Sequence, residues 1–328
     1  MTITKIKKIK AIEVESYPIG ERSNFWLPLH QDPTSCEVMV PFIVARGAHP
    51  GPTLGVSAAV HGNELNGMRI IHHLLQAMDL SKLRGALVCA PIVNVPSYNL
   101  GIRRFPDGLD LNHVFPGRKG GRPAEQYARA FERRFLPGLD YLVDIHTASE
   151  GRINTMYVRA DISSSKARSM SFDFNPQIIL HAKSGDGTLR TAARRRGIPA
   201  ITVEAGNPSV LQGRMVYEGE TGVVNVMKGL GMIDSVDELP REPVVCKSSR
   251  WLRTLSGGLL ETHFKLFQRV EKKQLLAVTH DPFGGEVSRY YAPEDGIVIG
   301  MATNPSAGSG TRFCHLGSIG DVPLEEPS

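Results

Sequence analysis

Thr53-Leu54-Gly55-Val56-Ser57-Ala58-Ala59-Val60-His61-Gly62-Asn63-Glu64 reads as a buried strand, a glycine-containing turn and the first turn of a helix. From Thr53 to Val60 every residue is small or apolar and none is charged, the composition of a strand covered on both faces. Beyond the turn, Leu65, Met68, Ile71, Leu75 and Met78 recur at helical spacing. His61 and Glu64 stand at the junction. An imidazole and a carboxylate so close in sequence can converge on one cation where the chain turns sharply between them, which would make half of a zinc site. The competing reading is a helix-start glutamate favoured by the helix dipole, beside a histidine that only packs.

The segments around this stretch alternate in type. On its N-terminal side, residues 3–14 predict an edge strand guarded by lysines, and Trp26–Leu29 and Val38–Ala45 two further strands. On its C-terminal side, Gly85–Asn94 predicts another buried strand. Pro96 to Arg122 then has little periodicity, and a loop of that length inside a domain is usually functional. It carries Arg103, Arg104, Asp107, Asp110, Asn112 and His113. A helix from Ala124 to Phe135 follows, then the strand Tyr141–Ile145 ending in His146. After that come a short strand over Met156–Arg159, a helix over Gly187–Arg196, the strand Ile198–Val203 ending in Glu204, and a last helix near Gly222–Gly231. Strands alternating with helices imply an α/β fold with a mostly parallel sheet covered on both faces.

That order places His61, His146 and Glu204 each just after a separate apolar strand. In open α/β sheets, ligands bind at the carboxyl ends of the strands, so these residues can share one cleft although far apart in sequence. Asp144 points to the same side of its strand as His146. It either orients a ligand or is a buried, paired carboxylate.

Composition narrows the function classes. The chain has 328 residues, is 41% hydrophobic and carries a net charge of +5, enough for one large core with or without a smaller domain. The N-terminus lacks the apolar run of a signal peptide and no window approaches a membrane span, so a soluble cytoplasmic protein is the default expectation. Cys36, Cys89, Cys246 and Cys314 form no CxxC pair, which argues against a disulfide framework or a cysteine zinc site. The clusters Arg133-Arg134 and Arg194-Arg195-Arg196 lack aromatic interleaving and read as solvated faces, so no nucleic-acid partner is expected.

His61-Gly62-Asn63-Glu64, Asp110-Leu111-Asn112-His113-Val114-Phe115-Pro116-Gly117, Asp144-Ile145-His146-Thr147 and Val203-Glu204-Ala205-Gly206 together resemble the succinylglutamate desuccinylase/aspartoacylase family, relatives of the zinc carboxypeptidases, over roughly residues 50–230. The resemblance implies a mixed, mostly parallel, carboxypeptidase-like sheet and one Zn2+ per chain held by His61, Glu64 and His146. It also implies Glu204 as the catalytic carboxylate, Arg103 as the arginine that assists the scissile carbonyl, and Asn112 as a substrate-binding residue. Two histidines and a glutamate leave a zinc position open, as in catalytic sites. Arg104, beside Arg103, is a further candidate for substrate binding.

One position departs from the family. Where the family reads Asp-Leu-Asn-Arg, with an arginine that grips a substrate carboxylate, this chain has His113. Histidine does not reproduce the permanent two-pronged charge of arginine at neutral pH. Either the substrate has no carboxylate at that point, or an arginine of the Arg190–Arg196 helix, Arg190 or Arg194, binds it instead.

The C-terminal part changes texture. Residues 234–250 read as a linker or a crossing strand, and from Trp251 short strand-like runs separated by glycines give an all-β pattern. It resembles the lipoyl/biotinyl hammerhead half-barrels fused to this family, without a hairpin lysine to carry a cofactor. His263, His280 and His315 read as ordinary surface residues, and His72-His73 as structural. The expectation is a catalytic domain over 1–240 and a β-rich domain over 241–328 that narrows the cleft mouth or joins subunits into a homo-oligomer. The expected activity is zinc-dependent hydrolysis of a linear amide, removing the acyl group from a small N-acyl amino acid or N-acyl amine. A carboxypeptidase-like peptidase and a non-catalytic protein that keeps the metal are the alternatives.

Overall fold

His49–Ala58 lies at the middle of the sheet, with Arg84–Ala90 parallel on one side and Tyr141–His146 parallel on the other. Ala200–Glu204 adds in parallel beyond Tyr141–His146. Leu54–Ala58, Ala86–Ala90, Leu142–His146 and Ala200–Val203 are buried throughout, as these largely apolar runs require. The computed structural model describes residues 7–9, 11–183, 187–234 and 242–325.

The sheet is mixed because its flanks turn antiparallel. Glu37–Arg46 pairs antiparallel with Arg84–Ala90 and with Arg22–Gln31, and Tyr157–Ala160 pairs antiparallel with Ala200–Glu204. Helices cover both faces. Asn66–Ala77, Ser165–Phe174 and Gly213–Gly229 pack together on one, through Ile70, Leu74, Met170, Phe174, Val223 and Val226. Pro123–Phe135 and Leu189–Arg195 cover the other, where Phe131 and Phe135 meet Phe42.

Several predicted elements shift. The first helix begins at Asn66, two residues past Glu64, and buries Ile70, Ile71, Leu74 and Leu75 while Met68 is only half-buried. The last helix begins at Gly213 instead of Gly222. Gly222 is not a start signal: a Cβ there would come within 2.4 Å of the Phe174 ring, so the glycine lets two helices approach closely. The helix Ser165–Phe174 and the strand Ile178–His181 have no counterpart in the sequence reading. Of the expected N-terminal strand, only Lys7–Lys8 pairs, alongside Phe25 and Trp26, while residues 1–6 and 10 lie outside the described residues.

The crossing strand is Val244–Arg253. Its first residues run parallel to Ile178–His181 and its remainder pairs antiparallel with Arg312–Ile319. The C-terminal strands therefore continue the main sheet, fourteen strands among the described residues, and a separate four-stranded sheet packs on a small core of Leu260, Leu276, Tyr290 and Phe313. Residues 235–241, where the expected domain boundary falls, lie outside the described residues. No described helix is long and apolar enough to cross a membrane.

Candidate active site

The turn that carries His61 is held from below by a neighbouring strand end. After Arg84–Ala90 the chain passes over the turn, so that the Val93 and Asn94 amides donate to the Ala58 and Ala59 carbonyls and the Asn94 side-chain amide donates to the Val60 carbonyl. Ala59 accepts a left-handed φ of 52° there. Gly62 is required by close approach: a Cβ would sit 2.1 Å from the Ser97 carbonyl carbon. The sequence thus folds into a tight, buried loop that aims His61 and Glu64 in one direction.

His146 and Glu204 are the last residues of adjacent parallel strands and pair in register. The structure brings His146 to His61, with ring centroids 5.0 Å apart. Glu64 lies between them, with Oε1 2.8 Å from His61 Nδ1 and Oε2 3.0 Å from His146 Nδ1, and the three donor groups fall within 4.8 Å of one another. The far side of each ring is held by an acid. Asp110 Oδ1 is 3.0 Å from His61 Nε2, and Asp144 Oδ2 is 2.9 Å from His146 Nε2.

Asp110 accepts at His61 Nε2, which turns Nδ1 inward to Glu64 Oε1 at 2.8 Å and Arg103 Nη1 at 3.2 Å; the first contact suits a proton on Nδ1 and the second a lone pair. Asp144 also accepts from the Ser57 hydroxyl, which leaves it to take the Nε2 proton of His146. Two imidazole Nδ1 atoms, 3.3 Å apart, and an ionised carboxylate then face one another in a buried space. Such a donor set repels itself unless a cation or added protons sit inside it, and its ligand types are those of a catalytic zinc site. The residues fit a divalent metal.

The titration behaviour has the same cause. Burial pulls the His61 imidazole down, but Glu64 and Asp110 outweigh it and the net direction is up. Burial likewise opposes the charged form of His146, and Asp144 with Glu64 raises it well above the ordinary value. Burial pushes the Glu64 carboxyl up, and the two imidazoles overcome this and hold it well below the carboxylate range. A metal would replace the protons this cluster otherwise attracts. The choice left open for Asp144 resolves to both readings: it is fully buried and paired, and it orients His146. We expect Asp144→Asn to weaken metal affinity by about 10- to 100-fold, measured by competition with a chelating indicator, with the fold unchanged by circular dichroism.

Arg103 is anchored by Asp110 Oδ2, at 3.1 Å from Nε, and places Nη1 2.9 Å from Glu64 Oε1. Its neighbour Arg104 is exposed on the rim, donating to the Gly108 carbonyl. Glu204 faces the same cavity, and burial raises its pKa against the opposing pull of His146. The cavity measures about 480 Å³. Asn112 lines it while its side-chain oxygen accepts from the Leu189 amide, and the exposed His113 stands at its edge. Arg190 is buried in the wall. Arg194 is a correction: it lies outside the cavity, exposed and 3.4 Å from Asp161, because it falls on the solvent side of its helix.

Sequence reasoning missed part of the wall. Tyr157 pairs in register with Glu204, and burial together with that carboxylate raises its pKa, keeping it a proton donor. Arg159 lies one step below, opposite Thr202. Trp251, Arg312 and His315 enter from the C-terminal strands. His315 is not a surface residue: it is buried, stacked on Trp251 at 4.9 Å and 2.8 Å from the Ser249 hydroxyl, and burial beside three arginines pushes its pKa down to about 3. The Arg152 guanidinium lies over the Trp251 ring, 4.9 Å from its centroid. Only strand register brings these residues to the cleft, and no local motif announces them.

Comparison with known proteins agrees with this geometry. Residues 50–230, more than half of the chain, match the model of the succinylglutamate desuccinylase/aspartoacylase catalytic domain. The N-alpha-acetyl-L-2,4-diaminobutyric acid deacetylase of Halomonas elongata is 25% identical over 310 residues, 89% of this chain and 90% of that protein. Two solved structures share the fold. A product-bound ectoine utilization protein EutE (DoeB) from Ruegeria pomeroyi has a TM-score of 0.82 at 24% identity, covering 92% of this chain and 98% of that one. A succinylglutamate desuccinylase/aspartoacylase from Rhodobacter sphaeroides has a TM-score of 0.83 at 21% identity, covering 96% and 99%. With the His61–Glu64–His146 cluster at the strand ends and the match running through it, this chain belongs to the succinylglutamate desuccinylase/aspartoacylase family.

Proposed function

We propose that the protein is a zinc-dependent amidohydrolase that removes the acyl group from a small N-acyl amino acid or N-acyl amine. One observation carries this reading: the Nδ1 atoms of His61 and His146 and the Glu64 carboxylate converge in a cavity also lined by Glu204. His61, Glu64 and His146 would hold the metal. When bound, it supplies Lewis acidity, polarising an amide carbonyl and making a water at the site acidic enough to attack near neutral pH.

The chain's own residues do the rest. Glu204 takes the attacking water's proton and later gives it to the departing amine, and burial suits it to hold that proton in between. Arg103, fixed by Asp110, presents a guanidinium to charge that develops on the carbonyl oxygen. Asp110 and Asp144 keep both imidazoles in the tautomer that faces inward. Trp251, Arg312 and His315 wall one side, which favours a small substrate over an extended peptide.

A screen of N-acylated amino acids and amines, followed as amine release with and without a chelator, tests the reading. Hydrolysis that stops with chelator and returns on adding Zn2+ is expected. Turnover indifferent to chelation at full metal removal would defeat it.

A further inference from the structure

Proton transfer asks Glu204 to meet a water and then a departing amine, and misplacing such a group by about 1 Å costs about 100-fold. A glutamate side chain turns about several bonds, so something must hold its carboxylate. Glu204 stands in the middle of a row across adjacent strands, with His146 as its register partner on one side and Tyr157 on the other. Paired residues of neighbouring strands point to the same face, so the phenol and the histidine flank the carboxylate. Arg159 and Arg103 attract Glu204 by charge, and the carboxylate acts on the Tyr157 hydroxyl both by charge and as a hydrogen-bond acceptor.

Tyr157 is itself held from the far end of the chain. It is buried in one cluster with Ile178, Cys246, Ile297 and Ile299. Its ring also meets His315 edge to face, with centroids 6.2 Å apart and planes at 70°. His315 in turn stacks on Trp251 at 4.9 Å and lies 2.8 Å from the Ser249 hydroxyl. Cys246, Ser249 and Trp251 belong to the crossing strand Val244–Arg253 and His315 to Arg312–Ile319, so the C-terminal strands fix the ring that faces Glu204.

We infer that Tyr157 is a positioning residue: its hydroxyl donates to Glu204 and keeps the carboxylate turned toward the reacting atoms, while His315 and the C-terminal strands brace the phenol. This deepens the hydrolase reading and rests on it. A phenol suits the task, because a buried hydroxyl gives one directed hydrogen bond and adds no charge to compete for the carboxylate. The C-terminal strands thereby act on proton transfer as well as walling the cavity.

The test is a double-mutant cycle with amide hydrolysis as the readout. Tyr157→Phe keeps the ring and removes the hydroxyl, so kcat should fall by about 10- to 100-fold with KM within about threefold and metal content unchanged. In a Glu204→Gln background the same substitution should cost less than about twofold, because its effect passes through the carboxylate. His315→Gln should lower kcat by about 3- to 10-fold and lose that effect in the same background. A Tyr157→Phe enzyme with wild-type kcat, one whose loss lies in KM alone, or one that loses as much without Glu204 as with it overturns the positioning role while the hydrolase reading stands. A His315→Gln enzyme with wild-type kcat overturns the bracing. If no amide is cleaved, the hydrolase reading falls, and crystal structures of wild type and Tyr157→Phe still decide the placement. A Glu204 carboxylate that leaves its wild-type position supports it, and one that stays overturns it.

Discussion

Glu204→Gln is expected to lower amide hydrolysis by about 10²- to 10⁴-fold while leaving metal content unchanged, because a general acid–base group contributes a factor of that size. Glutamine keeps the shape and burial of the side chain but exchanges no proton with water or amine. Glu204 lies outside the cluster of converging donor groups, which comprises His61, Glu64 and His146 alone among the described residues. The substitution therefore separates proton transfer from metal retention. Metal per chain is read by elemental analysis, and kcat from release of the free amine. The neighbouring Tyr157 phenol, kept protonated by burial, adds a second readout: it loses a charged partner, so its titration should fall toward the ordinary value in the variant. A Glu204→Gln protein that turns over at more than a tenth of the wild-type rate would remove Glu204 from the proton path.

How much of this was readable beforehand follows from the range of the forces involved. The strand–turn reading of Thr53–Glu64 held because burial on both faces leaves a local trace, an uncharged run, and because His61 and Glu64 are neighbours in sequence. His146 and Glu204 were legible for the same reason, each ending an apolar run. Arg103 over Arg104 was read from position alone, and the structure supplies the cause: Arg103 reaches Asp110 and Glu64, Arg104 turns to the rim. Arg159 and His315 were not legible. Arg159 reaches the cavity through an antiparallel pairing across forty-three residues, Thr202 to Arg159, and His315 through strands that return from the far end of the chain. No propensity or spacing encodes such register. The last helix was expected from Gly222 and begins at Gly213, and Gly222 inside it serves a helix–helix contact that only tertiary packing explains.

The second large effect is expected at Glu64, the hub of the cluster. Its carboxylate meets His61 Nδ1, His146 Nδ1, Arg103 Nη1 and the Thr147 amide, all within 3.0 Å and away from solvent. Glu64→Gln keeps an oxygen for the Thr147 amide but removes the charge that joins two imidazoles to a cation. Metal content should drop from about one to under about a tenth per chain, with hydrolysis reduced by at least about 10⁴-fold, since the metal-dependent step and the site's charge balance fail together. Glu64→Ala goes further and leaves the Arg103 guanidinium and a buried amide without their acceptor, so stability should fall by about 3–5 kcal/mol as well. Wild type stripped by chelator separates these contributions. If ligation is the chief role of Glu64, stripped wild type and Glu64→Gln should melt at similar temperatures, and added Zn2+ should raise only the wild type. Glu64→Gln that binds a full equivalent of Zn2+ and keeps wild-type turnover would show that the three converging side chains are a packing feature and that the metal chemistry must be sought elsewhere in the cleft.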